Sequence, residues 1–308
     1  MKQSIRSKLI ETMLHMSGRK QNFADKGRFA KFLDQKRIAN AEPYRLPEEL
    51  KQKWDIVMDP SYGKDCYVLS GNQHAGHKYI IYLLGGGHIN RPLPMNWKFV
   101  RKIADMTDYQ VIVPVYPKAP HHQYHESYEQ VLSVYEQLLK KTSSQHIVLM
   151  GESAGGGFAL GLAQLLKEKA MPQPSRIILI SPWLDITLSN PDIPAFEKKD
   201  PLLGSYGLAY VGKLYAGDTD LNDYRLSPIN GNLRGLGKIS LFIGTHDLMA
   251  ADARKLRNKA RKEGVTIDYY EYPKMIHIFT LFPLPEAKEA TERIVDLITN
   301  RGGKGFVQ

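Results

Sequence analysis

Cysteine is almost absent from this 308-residue sequence, which contains only Cys66. One thiol cannot form an intramolecular disulfide, so the sequence excludes a disulfide-stabilised secreted fold and favours a cytoplasmic location. Cys66 lies in a predicted strand, DCYVLS at residues 65–70. That position favours an inert thiol over a nucleophile, because reactive thiols lie in exposed, electropositive surroundings.

Long apolar runs are missing as well. No stretch reaches the roughly 18 apolar residues that a membrane-spanning helix needs. Near the N-terminus, Arg6, Lys8 and Glu11 interrupt any apolar core that a secretory signal would require. We therefore expect neither a membrane-spanning segment nor a signal peptide. The hydrophobic share of 43% and the charged share of 24% are typical of a globular protein that buries a large core.

Common signatures of phosphate and metal binding are also missing. The sequence contains no G-x-x-x-x-G-K-[ST] motif, and the G-x-G-x-x-G fingerprint does not fit the segment GGGHIN. His121, His122 and His125 form a cluster, but they lack the H-E-x-x-H arrangement on a helix, and Pro120 places the start of the cluster in a loop. We therefore expect no metal and no organic cofactor.

Acidic residues are scarce near the N-terminus. The chain has a net charge of +10, and residues 1–37 contain ten lysines and arginines against three acidic residues. The apolar residues of this segment recur at helical spacing: Ile5, Leu9, Met13, Met16, Phe29, Phe32 and Leu33. We predict that residues 1–45 form a basic helical arm, packed on the main body with its charges in solvent. Contact of the arm with a membrane surface is the alternative. No nucleic-acid-binding motif accompanies the charge, so no nucleic-acid partner is expected.

After Pro43 the sequence alternates between strand and helix patterns. Strands are predicted at 54–59, 65–70, 78–84, 110–115, 146–150, 176–180, 238–243 and 267–272. Helices are predicted at 124–142, 153–169, 249–263 and 285–300. This alternation predicts an α/β fold with a mostly parallel eight-stranded sheet flanked by helices. The short link between the first two strands predicts that the sheet begins antiparallel.

The remaining segments indicate the domain organisation of the chain. Residues 46–300 are predicted to form one main domain. Within it, residues 186–225 belong to a long stretch without strand patterns, which is typical of an inserted helical cap or lid. Residues 301–308 are predicted to be a flexible tail.

A strand–turn–helix segment carries a candidate nucleophile. Strand 146–150 runs into GESAGGG, where Gly151, Ser153 and Gly155 fit the pattern G-x-S-x-G. A nucleophilic serine must stand at the tip of a sharp turn, and the small residues around it let the strand and helix approach closely. For this motif alone, a glycine-rich helix start that serves only packing is the alternative.

A serine hydroxyl needs a histidine to take its proton and a carboxylate to orient that histidine. Asp247 and His277 follow the last two predicted strands, so they lie after Ser153 in the order serine, acid, histidine. Asp185 is the main alternative acid and Asp252 a weaker one. His246, next to Asp247, is interpreted as a flanking loop residue.

A glycine triplet, Gly85, Gly86 and Gly87, ends the strand predicted at 78–84. Acyl transfer places negative charge on the former carbonyl oxygen, and backbone N–H groups can stabilise that charge in an oxyanion hole. The candidate donors are the N–H groups of Gly86 and Gly87, together with that of Ala154 after the nucleophile.

Seven ordered segments between residues 78 and 298 resemble the hormone-sensitive-lipase-like branch of the α/β-hydrolases, a family of carboxylesterases. They are YLLGGGHI, PVYPKAPHHQYHESYEQV, GESAGGG, SPWLDIT, RLSPING, GTHDLM and YPKMIHIF. The resemblance implies an α/β-hydrolase fold and a catalytic triad of Ser153, Asp247 and His277. It also implies that residues 1–45 and 186–225 share a cap over the acyl pocket.

The function implied by the resemblance is that of a serine carboxylesterase acting on small or short-chain acyl esters. An amidase, peptidase or lactonase with the same triad is the alternative, and a non-catalytic binding module is a further one. Gly85 and His88 are tentative substrate-binding residues. The sequence makes no prediction of oligomeric state.

The chain departs from the family pattern at two positions. Leu84 stands where the family usually has a histidine before the glycine triplet, so the way the following loop is held rigid is in question. Glu152 stands where aspartate is more usual, and because the charge is kept, little effect is expected.

Overall fold

The computed structural model describes residues 3–71, 76–107 and 109–300. Eight strands form one sheet in the order β1-β2-β4-β3-β5-β6-β7-β8. The pairs β1/β2 and β2/β4 are antiparallel, and every later pair is parallel. The predicted eight-stranded, mostly parallel sheet with an antiparallel start is confirmed.

The strands follow the predicted segments closely after the first. They are β1 (Val57–Met58), β2 (Cys66–Leu69), β3 (Tyr79–Leu83), β4 (Gln110–Pro114), β5 (Ile147–Glu152), β6 (Arg176–Ile180), β7 (Lys238–His246) and β8 (Ile267–Ile276). The central strands are buried along their whole length because helices cover both faces.

The helices of the described residues are α1 (Ile5–Met16), α2 (Gln21–Ala24), α3 (Lys26–Ala41), α4 (Glu48–Trp54), α5 (Pro94–Met106), α6 (Tyr124–Leu139), α7 (Ala154–Glu168), α8 (Ile193–Glu197), α9 (Ser205–Ala216), α10 (Ala250–Glu263) and α11 (Pro285–Thr299). One apolar core contains the buried side chains of α6, α7 and α10, and a second contains those of α5 and α11. Alternate residues of β3 point into the two cores, as Ile81 and Leu83 do into the first and Tyr82 into the second.

The predicted first strand at 54–59 is largely wrong. Helix α4 occupies Glu48–Trp54, and β1 contains only two residues. Asp55 then adopts the left-handed conformation, with φ 48°, and ends the helix. The acidic first turn and basic last turn of α4 favour a helix through its macrodipole, and this signal outweighs the strand-like composition of WDIVMD.

Arm residues 3–45 pack on the main body through three helices. Phe29 and Leu33 of α3 are buried in the first core, and Phe29 meets the ring of Tyr210 on α9 at a centroid distance of 5.3 Å. Helix α1 differs from the expected orientation, because its predicted apolar residues Ile5 and Leu9 are exposed while Ser7 is buried.

Two further predictions concern membrane-spanning helices and the C-terminal tail. Across the described ranges, no helix is long and apolar enough to cross a membrane. The tail predicted at 301–308 lies outside the described residues.

Candidate active site

Ser153 stands at a sharp turn between β5 and α7. Its backbone has φ 56° and ψ −124°, a conformation that residues with a side chain rarely adopt. The Ser153 N–H donates to the carbonyl of Ile180 at 2.9 Å, which ties the turn to the neighbouring strand β6. A Cβ atom on Gly155 would lie 2.0 Å from the carbonyl oxygen of Leu83, so only glycine allows α7 to approach β3 this closely.

The structure brings His277 and Asp247 to this serine. His277 Nε2 lies 2.9 Å from Ser153 Oγ, and His277 Nδ1 lies 3.0 Å from Asp247 Oδ1. The three side chains come from segments at the carboxyl ends of β5, β7 and β8, the edge where parallel sheets place their sites. All three are buried, which strengthens their mutual electrostatic interactions.

The electrostatic surroundings make His277 a stronger base. Burial alone would lower the pKa of His277, but the charge and hydrogen bond of Asp247, with further contributions from Asp200 and Glu152, raise the pKa above its usual value. A raised pKa makes the imidazole a stronger base, so it is better able to take the proton of Ser153.

Asp200 is a buried carboxylate near this site that the sequence interpretation did not include. It accepts hydrogen bonds from the N–H groups of Leu202 at 2.7 Å and of Leu248, next to Asp247, at 2.8 Å. Burial, and then the charge of Asp247, raise the pKa of Asp200 to about 6. No spacing rule connects Asp200 with Asp247, so only the folded chain reveals their proximity.

The alternative acids have other partners. Asp185 accepts from Thr187 N–H at 2.9 Å, and Asp252 accepts from the Asn190 side-chain amide at 2.8 Å. These bonds organise the segment that follows β6. The contact of His277 is instead with Asp247, as the preferred chain order predicts.

Two of the competing histidines contact carboxylates, and the cysteine is buried. His246 Nδ1 lies 2.5 Å from Glu11 Oε1, and His122 lies 2.7 Å from Glu126. Within the described ranges, no group of three His, Cys, Asp or Glu residues could hold a metal ion. Burial raises the pKa of Cys66 to about 12, which leaves its thiol protonated and unreactive.

The glycine loop, defined here as residues 84–90, lies beside the serine. Gly86 and Gly87 have φ of 114° and 59°, which favour glycine. The N–H groups of Ile89 and Asn90 both donate to the carbonyl of Gly86, closing a tight turn. Over the described part of the chain, the N–H groups of Gly86, Gly87 and Ala154 donate to no protein acceptor.

The first residue of the triplet has a partner from the nucleophile turn. Gly85 N–H donates to Glu152 Oε1 at 2.9 Å, and the Asn96 side chain donates to the same oxygen at 2.8 Å. Burial raises the pKa of Glu152 to about 7, although these hydrogen bonds oppose the shift. Substrate contact by Gly85 stays a prediction, since its own N–H is occupied by Glu152.

Further bonds hold the glycine loop from the strand β4 side and from the arm. The Tyr116 hydroxyl donates to the carbonyl of Leu84 at 2.5 Å, and Lys118 Nζ lies 4.0 Å from the centre of the Tyr116 ring. The Asn40 side-chain amide, from the end of α3, donates to the carbonyl of Ile89 at 2.8 Å. These contacts fix both ends of the loop without a histidine at position 84.

Leu84 and His88 are both buried. Leu84 is 1% exposed and lies in the second apolar core. The His88 ring stacks on Tyr215 at a centroid distance of 4.0 Å, with the rings 9° from parallel. Burial, then the charge of Lys118, lower the pKa of His88 to about 3, so the ring is neutral at neutral pH. Substrate contact by His88 stays a prediction.

Together these groups form a chemically competent arrangement. It combines a hydroxyl with an adjacent base, a carboxylate that orients the base, and free N–H groups nearby. Such a set is suited to attack on a carbonyl carbon followed by stabilisation of the resulting oxyanion.

Comparison with known proteins is consistent with this geometry. A family model described as alpha/beta hydrolase fold matches residues 80–281. An esterase of Acinetobacter venetianus is 31% identical to this chain over 232 residues, which are 74% of this chain and 77% of the relative.

Solved structures share nearly the whole chain. A Staphylococcus aureus protein, 30% identical, superposes with a TM-score of 0.84 and covers 91% of this chain and 95% of its own. A bacterial esterase of the hormone-sensitive lipase family has a TM-score of 0.80 and covers 97% and 99% of the two chains. At 23% identity, that second likeness shows the fold alone.

Proposed function

We propose that this chain, which belongs to the α/β-hydrolases and is a carboxylic ester hydrolase, hydrolyses short-chain acyl esters through an acyl-enzyme on Ser153. The observation that carries the proposal is the continuous contact from Ser153 Oγ through the His277 ring to Asp247.

Acylation begins when His277 Nε2 takes the proton from Ser153 Oγ as that oxygen attacks the ester carbonyl carbon. Asp247 accepts the Nδ1–H of His277, which keeps Nε2 free to act as the base and stabilises the imidazolium that forms. The imidazolium then returns its proton to the departing alcohol, and the acyl group stays on Oγ. Water, deprotonated by His277, attacks the acyl carbon, and the imidazolium then protonates Ser153 Oγ as the acid departs.

The oxyanion of each tetrahedral intermediate is assigned to the N–H groups of Gly86, Gly87 and Ala154. The support for this role is that these N–H groups have no acceptor in the described protein and belong to segments that meet beside the serine. The left-handed backbone of both glycines sets the direction of the donors before substrate arrives. Such preorganised donors stabilise the transition state by about 3–4 kcal/mol each.

A short acyl chain is proposed because of the segment above the glycine loop. A Cβ atom on Gly87 would lie 3.6 Å from Leu208 Cδ2, so helix α9 lies directly over this part of the loop. Helices α2 and α3 of the arm pack on α9 from outside. We therefore assign residues 1–45 and 186–225 to a shared cap that limits the size of the acyl group.

The test is a hydrolysis profile with p-nitrophenyl esters of increasing acyl length, beside the corresponding anilides. The acetate and butyrate esters are expected to be the best substrates, and esters longer than about eight carbons are expected to be poor ones. Ser153→Ala should lower kcat by a factor of about 10⁴ or more, whereas Ser61→Ala, at an exposed serine, should have no effect. A Ser153→Ala protein with wild-type turnover would overturn the proposed nucleophile, and faster anilide hydrolysis would indicate an amidase.

The proposed compartment is the cytoplasm. Its support is that the chain has one cysteine, so no disulfide can form within it. Because Cys66 is buried, it is also not available for a disulfide at the surface. Fractionation of cells that produce the protein at its native level tests this location. Recovery from the extracellular fraction would contradict it.

A further inference from the structure

Helix α1 presents its apolar side to solvent. Ile5, Leu9, Met13 and Met16 recur on one side of the helix, and their exposed fractions are 87%, 62%, 63% and 82%. These four residues, called here the outer stripe, form one side of a twelve-residue helix. A surface helix of a globular protein normally turns such a side towards the core. Burial in the core therefore does not explain why these four positions are apolar.

The orientation of α1 is fixed by polar contacts on its inward side and by Leu14, which is buried in the second apolar core. Ser4 N–H donates to Glu286 Oε1 of α11 at 2.7 Å, and the Ser4 hydroxyl donates to Oε2 at 3.0 Å. Glu11 Oε1 contacts His246 Nδ1 at 2.5 Å, and Ser7 is buried. Because these contacts hold the inward side of α1 against the main body, the outer stripe is held facing outward.

The charges beside the outer stripe are positive. Arg6 and Lys8 are exposed and, at about 3.6 residues per turn, project on opposite sides of the stripe. Glu11 is the only acidic residue of α1, and its side chain is turned inward, with 14% exposure. The outward surface of α1 thus combines apolar side chains with basic ones.

We propose that α1 docks on a membrane surface that contains anionic phospholipid. Apolar side chains between basic residues fit the boundary between lipid acyl chains and anionic headgroups. A second copy of this chain is disfavoured as the occupant, because the outward surface of α1 offers no acidic side chain that could pair with Arg6 and Lys8 across a two-fold contact.

Docking through α1 would place lipid beside the site. Glu11 of α1 contacts His246, which directly precedes Asp247 on the β7 side of the site. An ester dissolved in the membrane would therefore be concentrated near the catalytic edge of the sheet. The docking itself needs no ester chemistry, so its failure would leave the proposed function standing.

The test is co-sedimentation of the full chain with vesicles of phosphatidylcholine alone and of phosphatidylcholine with about one quarter phosphatidylglycerol. Binding is expected only to the anionic vesicles, and it should weaken as KCl rises from about 50 to 500 mM, because salt screens the attraction. Arg6→Gln with Lys8→Gln should lower the partition coefficient at least tenfold, because basic residues near an anionic surface contribute to binding. Leu9→Glu with Met13→Glu should lower it by a similar or larger factor.

Matched controls separate docking from general effects of charge. Met58→Glu changes an exposed apolar residue of β1, and Arg261→Gln with Lys262→Gln removes two exposed charges of α10. Neither control is expected to change the partition coefficient more than twofold, and both should hydrolyse a water-soluble acetate ester as the wild type does. Equal sedimentation with both vesicle types, or unchanged binding by both α1 variants, would overturn the proposal. A dimer in sedimentation velocity that Leu9→Glu dissociates, without vesicle binding, would also overturn it.

Discussion

The nucleophile turn at residues 151–155 and the glycine loop at residues 84–90 follow neighbouring strands and meet beside Ser153, but different parts of the molecule hold them in place. The nucleophile turn depends mainly on its own glycines, with a bond from the Ser153 N–H to the carbonyl of Ile180. A Cβ atom on Gly151 would lie 2.3 Å from the carbonyl oxygen of Gly155, so no larger residue fits between the strand and the helix.

The glycine loop is held mainly by residues outside it. Tyr116 bonds the carbonyl of Leu84, Glu152 bonds the N–H of Gly85, and Asn40 bonds the carbonyl of Ile89. A turn built from its own small residues has a short sequence signature, whereas a turn supported from distant segments has none. This difference explains why the missing histidine at position 84 could not be judged from the motif alone.

The largest expected effect is on the nucleophile turn. Gly155→Ala would place its Cβ 2.0 Å from the carbonyl oxygen of Leu83, so α7 must move away from β3. We expect a loss of about 3 kcal/mol or more in the free energy of unfolding, and loss of hydrolysis. Urea denaturation measures the first, with Gly76→Ala as the control because its Cβ would meet no atom within 4 Å. Equal stability of the two variants would contradict the close approach.

The next largest effect is expected in the glycine loop. Tyr116→Phe removes the 2.5 Å bond to the carbonyl of Leu84 and keeps the ring in the core. Because the loop is then less well positioned but keeps its donors, we expect kcat to fall by a factor of about 10–100, less than the roughly 100–1,000 for losing one oxyanion donor. Tyr135→Phe is the matched control, since Tyr135 donates a similar bond at 2.8 Å to the carbonyl of Pro172, away from the loop. If both variants lose the same activity, Tyr116 has no particular role in the loop.

A smaller effect is expected from restoring the missing histidine. Leu84→His would place an imidazole in the second apolar core, where Leu84 is now 1% exposed. We expect the free energy of unfolding to fall by about 1–3 kcal/mol, the cost of burying an unpaired polar group. Turnover should stay within about tenfold of the wild type, because Tyr116 and Glu152 still hold the loop. Complete loss of turnover in a folded Leu84→His protein would show that the loop is held differently.

The smallest expected effect is a shift of the pH profile. Asp200→Asn removes a negative charge that raises the pKa of His277. The active form of His277 is neutral, so activity rises as the pH rises through that pKa. Lowering the pKa should therefore move the acid limb of kcat/KM to lower pH.

Asp252→Asn is the control for this shift, because Asp252 is a buried acid with a pKa raised to about 6 by burial but does not act on His277. Its acid limb is expected to match that of the wild type. A shift of the Asp200→Asn profile to higher pH would contradict the assigned electrostatic role.

The sequence predicted the sheet and the contact between Ser153, His277 and Asp247 because these depend on local signals. Buried strands have continuous apolar runs, and the three side chains follow strand ends in a defined order. Asp200 and Tyr116 could not be assigned in this way, since their roles depend on contacts between distant segments. The orientation of α1 was also beyond the sequence pattern, because it depends on the contacts of Ser4, Glu11 and Leu14 with distant segments of the main body.

The most direct test of hydrolysis through Ser153 is to trap the covalent enzyme. The wild-type chain is incubated with a fluorophosphonate, digested, and searched by mass spectrometry for the modified peptide. We predict one adduct per chain, located on Ser153, with none on Ser153→Ala and labelling slowed at least a hundredfold by His277→Ala. An adduct on another residue, or equal labelling of the wild type and Ser153→Ala, would contradict the assignment.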